Sequence, residues 1–249
     1  CKRVEDNKIE GYMFPLGPIM QLFHEIGRGM PGMLSKIGLG TFMDARNGGG
    51  KLNQLTAEQG EDLVKYIPDF EGEDYLWYTL PKLNVALLRA SSADPHGNIS
   101  IDKEAEEIEV LSVAQAVRSS GGIVICQVDE LVELHTVNPH MIKVPGIYID
   151  YIVVAQDREA IPQNMARTKG ATYEPAFTGE VLKEVKTEVA SVPLNERKVI
   201  ARRAALELGP GYNVNMGLGM PTTVPMILAE AGVDDKITMI SETGTIGGV

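Results

Sequence analysis

Asn84-Val-Ala-Leu-Leu-Arg-Ala90 and Ile123-Val-Ile-Cys-Gln-Val128 are short apolar runs, the second rich in β-branched residues. Each reads as a buried strand. Between them, Ile108, Leu111, Ala114 and Val117 recur at helical spacing, so a helix is expected over 102–118. Asp102, Glu104, Glu106 and Glu107 crowd its start and Arg118 stands at its end, the polarity a helix dipole favours. Gly121-Gly122 stops it. Strand, helix, strand in that order implies a right-handed parallel crossover, and hence an α/β fold. Ser91 to Ser100, with Asp94-Pro95 and Gly97-Asn98, reads as a polar turn. A further strand is expected over Ile147–Ala155, behind Pro145-Gly146.

A second α/β unit begins near residue 194. Asn195 can cap a helix running to Leu208, with Val199, Ile200 and Ala204 facing inward. Gly209-Pro210-Gly211 ends it. A strand follows over Tyr212–Met216, then a tight turn at Gly217-Leu-Gly-Met-Pro221, a helix over Thr222–Ala231 and a strand over Ile237–Ile240. Residues 156–193 are polar, interrupted by Pro162, Pro175 and Pro193, and read as a linker or surface excursion. Domains are therefore expected over 1–190 and 191–249. Toward the start, Ile19, Leu22, Phe23 and Ile26 mark a helix after Phe14-Pro15-Leu16-Gly17-Pro18, and glycine-rich residues 38–53 read as a long functional loop. The opening Cys-Lys-Arg and the closing Gly247-Gly248-Val249 suggest an internal fragment of a longer chain.

The chain has 249 residues, 34 acidic and 23 basic, for a net charge of −11. That balance disfavours a nucleic-acid-gripping protein, because phosphate backbones need dense Lys and Arg. Its hydrophobic fraction of 44% is that of a folded globular chain, and no apolar run suggests a membrane span or signal peptide. Cys126, inside a strand, reads as an inert core thiol, and a reducing cytoplasm is the default setting. His135 and His140 are five residues apart near Glu133, which is no recognisable metal spacing, so no metal is expected. Neither a Gly-x-Ser-x-Gly elbow nor a Gly-Lys-Ser/Thr phosphate loop is present.

Two places remain for chemistry. Gly217 and Gly219 follow a strand and open a helix, so a ligand can approach the backbone closely there, or the pair simply makes a plain turn. Glu242, in Ser241-Glu-Thr-Gly244, stands at the C-terminal end of an expected strand, the usual ligand edge of a parallel sheet. A carboxylate crowded by glycines there is either functional or a turn cap.

Several segments together resemble the family I CoA-transferases, nearest the long single-chain acetate/propionate type. They are Thr41-Phe-Met-Asp-Ala-Arg46 with Gly48-Gly-Gly-Lys-Leu-Asn53; Ala93-Asp94 with Gly97-Asn98-Ile99-Ser100; Val144–Ala155; Asn195–Ala205; Asn215-Met-Gly-Leu-Gly-Met-Pro221; and Ser241–Gly248. The resemblance implies two similar open-sheet α/β domains in the complete protein. It implies a ping-pong transfer of CoA between a short-chain acyl-CoA and a free carboxylate, as in ketone-body and short-chain fatty-acid metabolism. Glu242 is the implied nucleophile, and Asn215, Gly217, Gly219 and Gly244 are implied substrate or CoA contacts. Coenzyme A is a substrate and no cofactor is bound permanently. A cytoplasmic homo-oligomer is implied, with no nucleic-acid or membrane partner. An acyl-CoA hydrolase and a catalytically impaired CoA-binding paralogue are the alternatives. The second draws on Leu16, which stands where the family carries a glutamine lining the thioester oxygen.

Overall fold

The structure, a computed structural model, describes residues 2–105, 109–156, 173, 175, 178–181, 191–242 and 246. The chain divides into two compact units, Cys1–Leu182 and Lys183–Val249. The domain boundary expected after residue 190 falls among residues outside the description, as do Glu106, Glu107, Ile108, Gly244 and most of 156–193.

The first unit carries α1 (Lys2–Glu5), α2 (Leu16–Gly27), β1 (Met33–Ser35), α3 (Gln54–Gln59), β2 (Val64–Phe70), β3 (Glu73–Tyr78), β4 (Val85–Ala93), β5 (Ile99–Ser100), α4 (Val110–Ser119), β6 (Ile123–Leu131), β7 (Ile142–Val144) and β8 (Tyr151–Val154). Its larger sheet has the order β7-β5-β4-β6-β8. β4 runs parallel to β6, with Val85 opposite Ile123, and β6 runs parallel to β8. The parallel pairing expected of these two strands is therefore present. Ala86, Leu88 and Ala90 of β4 and Val124, Cys126 and Val128 of β6 pack in one core with Val110, Ala114 and Val117 of α4. The other side of β4 is open at its start, where Leu87 is 79% exposed, so the strand is buried on one face only there.

Three local expectations for this unit need correction. The helix expected from Asp102 starts at Val110. Glu104 turns instead to Arg89 (3.4 Å) and Lys103 to Glu130 (2.9 Å). Long-range charge pairing thus claims Glu104, one of the side chains that looked like helix-start residues. The polar run from Ser91 is not a turn until Asp94: Ser91, Ser92 and Ala93 continue β4 and are buried. The strand expected from Ile147 begins at Tyr151, because Gly146–Tyr148 forms a 3-10 turn. The Gly146 N–H donates to Asn98 Oδ1 (3.0 Å), and a Cβ at Gly146 would lie 2.0 Å from the His96 carbonyl oxygen, so glycine's lack of a side chain permits this approach.

The smaller antiparallel sheet, β1-β3-β2, had no counterpart in the sequence reading. Its hairpin did leave a signal: Glu71-Gly72, both at positive φ (53° and 82°), joins Phe70 to its partner Glu73. Two such residues between apolar runs suit a twisted hairpin turn. Leu22, Met33, Val64, Leu76 and Tyr78 close this core.

The second unit carries α5 (Glu196–Ala205), β9 (Asn213–Met216), α6 (Thr223–Glu230) and β10 (Thr238–Ser241). β9 and β10 are parallel, with Asn213 opposite Thr238 and Met216 opposite Ser241. Asn195 caps α5, its Oδ1 accepting from the Lys198 N–H at 3.0 Å. The inward face expected for α5 is wrong. Val199, Ile200 and Ala204 are exposed, whereas Lys198 and Ala201 are buried. The Lys198 ammonium lies 2.8 Å from the Glu230 carboxylate of α6 and also donates to the Val192 carbonyl oxygen, which offsets its loss of water. Lys198 also holds the Glu230 carboxyl below its ordinary range. No helix among the described residues is long and apolar enough to cross a membrane.

Candidate active site

Glu242 follows the last residue of β10. Its N–H donates to the Met216 carbonyl oxygen at 3.1 Å, which extends the parallel pairing by one rung and brings it beside the turn leaving β9. The Leu218 N–H then donates to Glu242 Oε2 at 3.2 Å. The carboxylate is exposed.

Gly217 and Gly219 serve this geometry for different reasons. A Cβ on Gly217 would lie 3.2 Å from Glu242 Oε2, so the residue is small to let the carboxylate approach. Gly219 has open space around it but adopts φ 103° and ψ −121°, a conformation that side chains resist. Asn215 lies two residues before Gly217 on β9, opposite Ile240, and is exposed. Among the described residues, no hydrogen bond joins Asn215 to Glu242. Gly244 lies outside the description. The structure therefore brings together Glu242, Gly217 and the backbone of Leu218, with Gly219 shaping the turn. Leu218 was missed in the sequence because its contribution is a main-chain N–H, which no side-chain motif reveals.

The motif segments around Asp44 and Asp94 build structure in the first unit. Asp44 is completely buried. It receives the Gly40 N–H (2.8 Å), the Arg46 N–H (3.0 Å) and two bonds from the Arg46 guanidinium (2.9 and 2.6 Å). That guanidinium, helped by the backbone donors, holds the Asp44 carboxyl far below the usual carboxylate range. Arg46 also stacks on Tyr66, 3.8 Å from the ring centre. Burial alone would raise the Asp94 carboxyl, but the Asn98 amide and the N–H groups of Asn98 and His96 hold it below its ordinary value. Leu16 is 67% exposed, in the first turn of α2. Among the described residues, no group of His, Cys, Asp or Glu side chains gathers as a metal site requires.

The family model described as Coenzyme A transferase matches residues 2–155. Caffeate CoA-transferase of Acetobacterium woodii is 46% identical over 246 residues, which take in 99% of this chain and 45% of that protein. Acetate CoA-transferase YdiF of Escherichia coli (strain K12) is 35% identical over 245 residues, 98% of this chain and 44% of that protein. Among solved structures, the acyl-CoA transferase YdiF of E. coli O157:H7, in a thioester complex with CoA, matches with a TM-score of 0.83 and 34% identity. That match covers 100% of this chain and 47% of the other. The chain thus spans a little under half the length of these relatives. With the family model matching more than half of its residues, the chain belongs to the Coenzyme A transferase family.

Proposed function

We propose that the whole protein transfers CoA from a short-chain acyl-CoA to a free carboxylate such as acetate, with Glu242 as the nucleophile. The observation that carries this reading is the seat of Glu242: an exposed carboxylate at a parallel strand end, with Oε2 held by the Leu218 N–H. A carboxylate with one oxygen held and the other open is suited to attack. Caffeate and acetate, named for the two relatives, are both carboxylates. Asn215, Gly217, Gly219 and Gly244 complete the proposed substrate contacts.

The steps balance without ATP or metal. A Glu242 oxygen attacks the acyl carbon of the thioester; a C–O bond forms, the C–S bond breaks and CoA leaves as thiolate. The thiolate attacks Cδ of Glu242, forming a new C–S bond and releasing the first acid as carboxylate. The acceptor carboxylate then attacks Cδ and expels the thiolate. The thiolate takes the acceptor's acyl group from the resulting anhydride, and Glu242 is restored. The mixed anhydride reacts with water, so transfer rather than hydrolysis requires that water be excluded while it exists. A cytoplasmic homo-oligomer is the setting this reading implies.

Borohydride reduces a thioester but not a carboxylate. The complete protein should therefore lose activity to borohydride only after exposure to acyl-CoA, with the reduced side chain mapping by mass spectrometry to Glu242. A label at another residue would rule out this mechanism. Release of free CoA without formation of the acceptor's thioester would replace transfer with hydrolysis.

A further inference from the structure

The Gly219 carbonyl oxygen is held from two sides. Arg197, in the first turn of α5, donates from Nη2 at 3.1 Å, and Thr222 donates from Oγ1 at 2.7 Å. Gly219 has no side chain to restrict it, so an unheld carbonyl there would rotate easily. Only the torsions of Leu218 and Gly219 separate that carbonyl from the N–H that meets Glu242 Oε2.

Arg197 is also in an unfavourable place for helix stability. A cation in the first turn opposes the helix dipole, and the start of α5 already has its cap in Asn195. The reach to the turn accounts for an arginine there better than any service to α5 itself.

We infer that Arg197 is a positioning residue for Glu242. By clamping the Gly219 carbonyl it keeps the 217–219 turn in the shape that aims the Leu218 N–H at the carboxylate. This rests on the proposed role of Glu242 as nucleophile. The aimed N–H has two uses in that chemistry. It holds one oxygen while the other attacks. Once Glu242 carries an acyl group or CoA, the same N–H lies where the Cδ oxygen gains negative charge as Cδ is attacked. Both uses concern the reacting carboxyl and neither concerns the grip on CoA, so losing the clamp should slow turnover and leave substrate affinity alone.

The test compares Arg197→Ala, Arg197→Lys and Thr222→Val in the complete protein. The control is Arg203→Ala, an exposed arginine of the same helix that pairs with Glu207. Since misplacement by about 1 Å can cost 10²-fold, the partial loosening in Arg197→Ala should lower kcat roughly tenfold, with KM for acyl-CoA moving by less than about twofold. Arg197→Lys, which keeps a donor and the charge, should recover much of the loss. Thr222→Val should lower kcat in the same direction, and the double variant should lose less than the product of the two, because both groups hold one oxygen. Arg203→Ala should match the wild type.

An Arg197→Ala enzyme with unchanged kcat, or one whose loss lies wholly in KM, overturns the inference. If Arg197→Ala melts early, Thr222→Val decides by the same kcat criterion. Glu242→Gln is measured alongside. If it is inactive while Arg197→Ala is fully active, only the Arg197 inference fails; if it still exchanges CoA, the nucleophile assignment fails and this inference with it.

Discussion

Asp44 and Glu242 both lie in motif segments and both carry a carboxylate, yet their surroundings differ in kind. Asp44, in the first unit, is shut away from solvent, and its two oxygens accept four bonds from Gly40 and Arg46. Glu242, in the second unit, is exposed and, among the described residues, accepts one bond, from a backbone N–H at 3.2 Å. A carboxylate whose lone pairs are filled and whose charge is matched by a guanidinium has little left to offer a substrate; it ties a glycine-rich loop into one shape. A carboxylate with one oxygen steadied and the other open keeps its nucleophilicity. Motif membership alone does not separate the two. Saturation of the oxygens does.

The sharpest way to break that contrast is to neutralise each carboxylate in turn. Glu242→Gln in the complete protein should lower CoA exchange by at least about 10³-fold while its melting temperature stays near that of the wild type. Asp44→Ala should do the reverse. It removes the buried carboxylate that ties the Gly40 and Arg46 N–H groups together, so stability should fall by about 1–3 kcal/mol in urea unfolding, with exchange retained in whatever fraction remains folded. The sign with pH follows from the lowered Asp44 pKa. The folded state resists protonation more than the unfolded one, so the Asp44 contribution is complete above the unfolded value of about 4 and is lost as pH falls below it. Acid titration of the Asp44→Ala protein should lack that component. An inactive Asp44→Ala protein of normal stability would erase the distinction between the two carboxylates.

Gly217→Ala gives a smaller and more local effect. The new Cβ would stand 3.2 Å from Glu242 Oε2 and push the carboxylate away from the Leu218 N–H. A shift of a few tenths of an ångström should cost roughly tenfold in kcat and little in stability. Unchanged kcat would mean that the Leu218 contact does not govern the chemistry. The smallest expected effect is none at all. Burial pushes the Cys126 thiol up to about 12, so iodoacetamide at pH 8 should leave it unmodified in the folded protein, as read by peptide mapping. Alkylation there at native pH would show that the β4–β6 core opens.

Much of the framework was legible because it rests on local rules. The apolar runs became the parallel pair β4 and β6, the Asn195 cap formed, and Glu242 lies one residue past β10 as its sequence position suggested. The misreadings share a cause. Glu104 looked like a helix-start residue and turned to Arg89, and α5, expected to face inward with Val199, Ile200 and Ala204, instead buries Lys198 against Glu230. In each case the partner lies far along the chain, and local periodicity holds no record of it. Val199 and Ile200 were assigned to the core of α5 on hydrophobicity alone, and the helix turned them outward.

The sequence by itself determined the α/β alternation, the family resemblance and the choice of Glu242, since strand runs, glycine turns and a strand-end carboxylate are properties of neighbouring residues. Only the tertiary structure decided which donors meet that carboxylate. The Leu218 N–H exists in any sequence. It reaches Oε2 only because β9 and β10 are in parallel register, Gly217 leaves room beside Oε2, and Gly219 takes a conformation held by Arg197 and Thr222. Backbone donors carry no signature in residue type, so their aim is set by folding alone.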